Sequence, residues 1–458
     1  MLIAAVIVLA LFLVWAIVTA ARSGFAHSFV LTLSDVGALD FSAADAVLKE
    51  DYKAPVVDQL DNATVIVAVL KRNKDDIRGR RFVQSLHVGR NSGVGARAEG
   101  GTLPTAGNQQ YEDIFGPCRY QYGRIQITGP VIAAMSKDRG SFIRAVESEM
   151  DGLQNDETRN LARQAWGTSN GQICGVQTVN STTITPGSGS GTALRRDQLF
   201  HLEEGFAIDI GTTADPDSIA SNRTVTSVNY STGAFTISGA AVNVTAGTHF
   251  VWAAGAGGAS NNSGNPNDGQ IEWTGIQTIV DDTDTLHTLA PSTEPQWAAG
   301  VFGNSGTNRA ISENLVTKAI QRQSIKSGKF VDLLISNDGV HRAYMEQLST
   351  MKRSMNTIEL EGGYTALEHG VVGMGTNRKG YKQALTWDKD CPDNRMFGLD
   401  TSAIRLMVAE DWDWIDRMGS MWVQVGDTDA YSATLAQYSE IACNRRNSQF
   451  VIEDLSEA

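Results

Sequence analysis

Phe82, Leu86 and Val88 fall on one face of "RRFVQSLHVGR" and Arg81 and His87 on the other, the period of two that marks a half-buried β-strand. "RYQYGRIQITG", residues 119–129, repeats the alternation, and between the two lies the polar stretch "GGTLPTAGNQQY", Gly100 to Tyr111, with Pro and Gly at its tip. The pattern predicts one long hairpin over residues 79–130. A two-stranded hairpin is marginal in water when alone, so this one has to lie against something else. After it the period changes: Phe142, Val146, Met150, Leu153, Glu157, Leu161 and Ala165 follow one another at three or four residues, predicting a helix of about 25 residues and 40 Å. Ser136 is its expected N-cap and Gly167 its stop.

Beyond Trp166 the chain turns to Gly, Ser, Thr and Asn up to about Asp268, with few charges. "RTVTSVNYSTGAFTISG" reads as a hairpin turning at Ser231-Thr232-Gly233, and "GSGSG" and "GASNNSGNPNDG" read as loops, so residues 175–268 are expected to form an all-β insertion. In the mixed region that follows, "ENLVTKAIQRQSIKSG" is helical and the unbroken apolar run of "FVDLLISN" a buried strand. "DGVHRAYMEQLSTMKRS" is a helix capped by Asn337 or Asp338, and the chain turns at Gly362-Gly363. "AIRLMVAEDWDWI" and "YSATLAQYSEIACN" make the ending strand-rich. The expected fold is therefore α+β with one β insertion.

Charge narrows the function. At 458 residues and 42% hydrophobic content the chain can bury a large core, but its formal net charge of −13 argues against a dedicated nucleic-acid binder. The one basic run, Lys71 to Arg81, contains two acids and reads as a solvated or subunit-facing surface. Cys118, Cys174, Cys391 and Cys443 are far apart, a spacing that suits reduced thiols better than a disulfide framework or a zinc site. Against this cytosolic picture stands "MLIAAVIVLALFLVWAIVTAA", Met1 to Ala21, an apolar run of bilayer-spanning length without a basic leader. Three readings remain open for residues 1–33: translation that truly starts near Leu33, a membrane anchor, and a removable targeting segment. The first is preferred, because the soluble pattern begins abruptly near Ser34.

The search for chemistry returns no site. No two of the seven histidines share the zinc-protease spacing. Lys329 in "SIKSGKF" lacks the first Gly and the following Ser or Thr of a phosphate loop, and the run Gly187 to Gly191 has Gly189 where a nucleophile would stand. Asp281, Asp282 and Asp284 lack the Gly and distal Glu of a calcium loop and read as a solvated turn. Asp411-Trp412-Asp413-Trp414 reads as a half-buried strand whose acids have no visible partner. No catalytic, cofactor-binding or metal-binding residue is assigned.

The order of parts, rather than any motif, resembles the major capsid protein of tailed bacteriophages, with the Hong Kong 97-type fold. The carriers are "GARAEGGTLPTAGNQQYEDI", the helix after Ser136, "GIQTIVDDTDTL", "LLISNDGVHRAYMEQLSTMKR", and the ending "FGLDTSAIRLMVAEDWDWIDRMGSMW" with "DAYSATLAQYSEIACNRRN". The resemblance implies an N-terminal arm (34–78), an extended loop (79–130), a spine helix of a peripheral domain (131–174), the β insertion (175–268), an axial domain (269–380) and peripheral strands returning to the axial domain (381–458). It implies a non-enzymatic subunit that assembles as hexamers and pentamers into an icosahedral shell around double-stranded DNA, located in the virion and assembled in the host cytoplasm. The implied partners are a separate scaffolding protein, a portal and a decoration protein, with no cofactor and no small-molecule substrate. In such a shell the hairpin would bury its apolar face between chains. An encapsulin-like compartment shell and a membrane-anchored extracellular binding protein are the rival readings.

Overall fold

The computed structural model describes residues 65–74, 77–78, 81–130, 139–187, 201–255, 271–350, 357–359, 365–371, 381–416 and 420–457. The chain divides into two units, Met1–Val57 and Asp58–Ala458, and every described residue belongs to the second. The apolar run Met1–Ala21, Ser136, Gly189 and the Gly362-Gly363 turn lie outside the described residues.

The fold is mixed α+β. Strand Ala430–Cys443 runs through a five-stranded mixed core sheet, pairing antiparallel with Ile404–Trp414 along one side and with Arg119–Thr128 along the other. Lys71–Asn73 adds in parallel to Ile404–Trp414, and Val423–Gln424 pairs with Tyr431 and Ser432. This arrangement corrects the hairpin expected from the sequence. The partner of Arg81–Gly89 is Gln110–Pro117, whereas residues 119–128 pair with Ala430–Cys443, Arg119 opposite Ser439 through Thr128 opposite Ala430. The chain changes sheets at Pro117-Cys118, where proline offers no N–H to continue a ladder. The alternation in 119–128 was real, but it reports a different sheet. Gln121 and Gly123 face inward while Tyr120 and Tyr122 stay exposed.

The inward face is covered by the long helix Arg139–Trp166. A methyl group on Gly123 would stand 3.0 Å from the Leu153 side chain, and Gln121 and Gln164 exchange amide hydrogen bonds of 3.0 Å. Leu161, Ala165 and Trp166 enter the main core with Trp273, Leu406, Val408 and Ile441. The helix stops at Trp166, where Gly167 N donates to Gln164 O.

A second, seven-stranded sheet carries Leu333–Ser336 between Tyr381–Trp387 and Met396–Leu399. Leu333, Ile335, Phe397 and Val451 join the main core from one face. Leu334, Leu385 and Phe450 on the other meet Val316, Ile320, Val340 and Tyr344 of the helices Glu313–Ser327 and Asp338–Thr350. Ser312 Oγ caps the first helix through Leu315 N, and Gly328 ends it at φ 70°. Asn337 is the cap of the second: its Oδ1 accepts from Val340 N at 3.0 Å.

Between helix and second sheet, six antiparallel strands from Gln172–Asn180 to Phe250–Ala253 close into a barrel. Ile173, Val176, Ile184, Ile208, Ile210, Val225, Phe235 and Val251 fill it. Gly233 at φ 67° turns the hairpin of Ala220–Asn229 and Ala234–Ile237, with Asn229 Oδ1 accepting from Ser231 N and Thr232 N. Both ends of the barrel leave from one neck. Glu272 pairs with Arg163 of the long helix, Trp273 N donates to Gln164 Oε1 (3.1 Å), and Gln277 Nε2 donates to Trp166 O (2.7 Å). Gly275 sits so close to Gly167 that a Cβ would lie 2.0 Å from its carbonyl oxygen.

Candidate assembly surface

The three-stranded sheet of Ile77–Arg78, Arg81–Gly89 and Gln110–Pro117 leaves one face and its long connecting turn exposed. A nine-residue strand extends about 30 Å, so the hairpin is long compared with the surface that holds its base. At the base Phe82 and Ile114 are fully buried. Phe82 packs with Met407, Ala442 and Ile77, and Ile114 enters the main core, where Leu86 and Val88 also lean. The apolar face expected to be buried between chains is thus largely buried within this one, because the same parity that separates Phe82, Leu86 and Val88 from the polar face aims them at the chain's own core. Phe115 N donates to His287 O at 3.2 Å, and Arg81 stacks its guanidinium 4.3 Å from the Phe115 ring centroid.

What remains uncovered is the opposite face and the tip. Val83 is 52% exposed, Tyr111 65%, Val94 63% and Leu103 81%. Scattered exposed apolar side chains are ordinary, but four on one hairpin, two of them in its turn, mark a surface suited to a partner. The tip has a defined shape despite its exposure. Asn91 Nδ2 donates to Gly107 O (2.7 Å) and its Oδ1 accepts from Gly93 N (2.6 Å), tying the two sides together. Arg97 Nε donates to Thr102 O (3.0 Å), Gly101 N donates to Ala98 O (2.9 Å), and His87 Nε2 lies 2.7 Å from Gln109 Oε1. Leu103 and Val94 were within reach of sequence reasoning, as apolar residues stranded in a polar, Gly-rich turn. Tyr120 and Tyr122, on the bare face of the neighbouring sheet, were hidden by the wrong strand pairing.

The other residues weighed for chemistry have structural work. Asp281 Oδ1 accepts from Thr283 N (2.7 Å) and Asp284 N (2.6 Å) in a turn, and lies 3.7 Å from Arg446. Arg446 donates to the carbonyls of Ile279 (3.0 Å), Thr278 (3.0 Å) and Asp284 (2.6 Å). Asp411, expected to lack a partner, has two cations beside it: Arg72 at 3.4 Å and Lys74 at 3.2 Å from the parallel edge strand and the residue after it, and these, with the Trp412 N–H, hold its carboxyl below the usual range against its partial burial. Lys329 is exposed just beyond the helix Glu313–Ser327. All four cysteines are free thiols and buried. Among the described residues no cluster of three or more His, Cys, Asp or Glu could hold a metal ion, and no helix is long and apolar enough to cross a membrane.

The buried charges serve the core. Arg119 Nε donates to Glu440 Oε2 at 3.1 Å, and the other carboxylate oxygen accepts from Thr274 N (2.7 Å) and Ile441 N (2.8 Å), so one acid joins two strands and the barrel neck. Burial pushes the Glu440 pKa up to about 7 against the lowering pull of Arg119 and these donors.

No protein-family model matches the chain, and no curated protein matches it. Its neighbours among solved structures are phage capsids and related shells. It is similar to a chain of the cyanophage A-1(L) capsid asymmetric unit at 11% identity and a TM-score of 0.49, over 88% of this chain and 97% of that one. It is similar to the SrpI encapsulin of Synechococcus elongatus PCC 7942 at 6% identity and a TM-score of 0.46, over 92% and 96%. It is similar to the capsid of the native GTA particle at 7% identity and a TM-score of 0.45, over 92% and 100%.

Proposed function

We propose that this chain is a shell subunit, the major capsid protein of a tailed bacteriophage, which assembles through its hairpin into a closed icosahedral head around double-stranded DNA. The observation that carries the reading is the hairpin itself: a tip tied together by its own hydrogen bonds, with Val94 and Leu103 presented to solvent. An element of this kind has a use when another copy covers it, and a head-to-tail contact repeated around an axis closes into rings and then shells. The same reading assigns the parts. Residues 34–78 are the arm, 79–130 the extended loop, 131–174 the spine helix, 175–268 an insertion on the outer face, 269–380 the axial domain, and 381–458 the peripheral strands and their return to it.

The role is structural, without catalysis. The proposed partners are other copies in hexamers and pentamers, a separate scaffolding protein, a portal and a decoration protein. Packaged DNA is a neighbour held without specific grip, in keeping with the net charge of −13. The protein is placed in the virion and assembled in the host cytoplasm. The test is to co-express the chain with its scaffold and examine sedimentation and micrographs. Closed particles are expected, and a lone subunit under every condition would overturn the proposal.

A further inference from the structure

The turn from Leu286 to Leu289 closes on itself through reciprocal backbone bonds of 3.1 and 3.0 Å. Its central residues, His287 and Thr288, have φ of 48° and 73°. Left-handed backbone at two successive positions is the habit of Asn-Gly turns, and a β-branched Thr is strained there. Such strain persists only where the surroundings hold it, and here they converge on His287, which is fully buried. Its Nε2 accepts from Cys443 N at 3.2 Å, at the end of the strand Ala430–Cys443. Its carbonyl accepts from Phe115 N, and its ring meets Phe82 edge-on at 5.0 Å. Gly116 passes so near that a Cβ would stand 3.1 Å from Nδ1. Both long strands of the hairpin and the central strand therefore converge on one residue, His287.

The protonation state follows from the bonds. A ring that accepts at Nε2 is neutral and carries its proton on Nδ1, which is buried without a hydrogen-bond partner. A second proton would set Nε2–H against the N–H of Cys443, donor against donor. The charged groups around it also oppose a cation. Arg446 is fixed among the carbonyls of Thr278, Ile279 and Asp284 beside Asp281, and Arg119 is paired with Glu440. The thiols of Cys118 and Cys443, each pushed up to about 12 by burial, offer no anion. Burial first, then Arg446 and Arg119, push the imidazole from 6.5 down to about 3.

We infer that His287 is an acid-released clasp: neutral, it pins the hairpin root to the central strand, and protonated, it lets go while the sheet beneath stays paired. A depressed pKa means that the clasp is at full strength above the free imidazole value of 6.5 and weakens as pH falls toward 3. Each pH unit in that window shifts the balance about tenfold toward release, and pH 4.5 about 100-fold. The inference depends on the assembly reading only for its consequence, so single full-length subunits test it whether or not shells form.

The experiment is amide hydrogen exchange on the full chain at pH 7.5 and 4.5, corrected for intrinsic rates. Amides of 81–89 and 111–116, with that of Cys443, which donates to Nε2, should lose about 100-fold protection on acidification, with those of 435–442 unchanged. His287→Gln, whose amide oxygen still accepts from Cys443 N but takes no proton, should abolish the loss. Phe82→Leu, which loosens the ring contact, should move release to higher pH, and it stands in should the glutamine variant not fold. Equal loss in wild type and H287Q, no loss in wild type, a parallel loss in 435–442, or an unmoved release in F82L would each overturn the clasp.

Discussion

The barrel and the hairpin are both antiparallel β-structure built from alternating sequence, and they solve opposite problems. The barrel closes six strands on themselves, leaving no free edge, and fills its inside with Ile173, Ile208, Ile210, Phe235 and Val251. The hairpin has two long strands and one short one, buries Phe82 and Ile114 at its base, and presents Val83, Tyr111, Val94 and Leu103. Alternation alone does not tell these fates apart. The difference lies in whether the inward face finds enough of its own chain to cover it.

The sharpest way to break the comparison is to hollow the barrel. Phe235→Ala removes a fully buried ring and should cost about 3–5 kcal/mol of stability, read as a fall in the denaturant midpoint; a loss confined to local exchange within 172–253 would show that the barrel unfolds as a unit of its own. Next comes the neck. Arg163→Met leaves Glu272 buried without its guanidinium and should cost about 3 kcal/mol, with Arg163→Lys recovering part of it in thermal melting. Excising residues 100–109 of the hairpin tip should change the melting temperature little, since the hydrogen bonds described for them stay within the hairpin, yet abolish particle formation in sedimentation; an unfolded subunit would mean that the tip packs internally. The smallest effect on folding is expected from Leu103→Asp, within about 0.5 kcal/mol, while the yield of particles falls.

Much of the fold was legible in the residues. Leu161, Ala165 and Trp166 at helical spacing lie in the core, and Asn337 caps its helix as one of the two candidates named for it. The parity of Phe82, Leu86 and Val88 gave the correct inward face of its strand. The pairing of residues 119–128 was not legible, because alternation reports which side of a strand is buried and is silent about which strand lies beside it. Long-range polar partners were equally hidden. Arg119 and Glu440 are 321 positions apart and Arg72 and Asp411 are 339 apart, and nothing local in either pair announces the other. His287 escaped for a different reason: Leu-His-Thr-Leu carries no turn signature, and its left-handed backbone is imposed by the packing around it. For the candidate surface, the tip's polarity was plain, but the extent to which the base is buried at home required the core to be seen.

Gly167 and Gly275 meet almost backbone to backbone, so the chain enters and leaves the barrel through a doorway a few ångströms wide. A closed module on such a doorway can grow, shrink or be exchanged without altering the spacing between any two other parts of the subunit. That separates the freedom of one module to vary from the obligation of the rest to keep fitting.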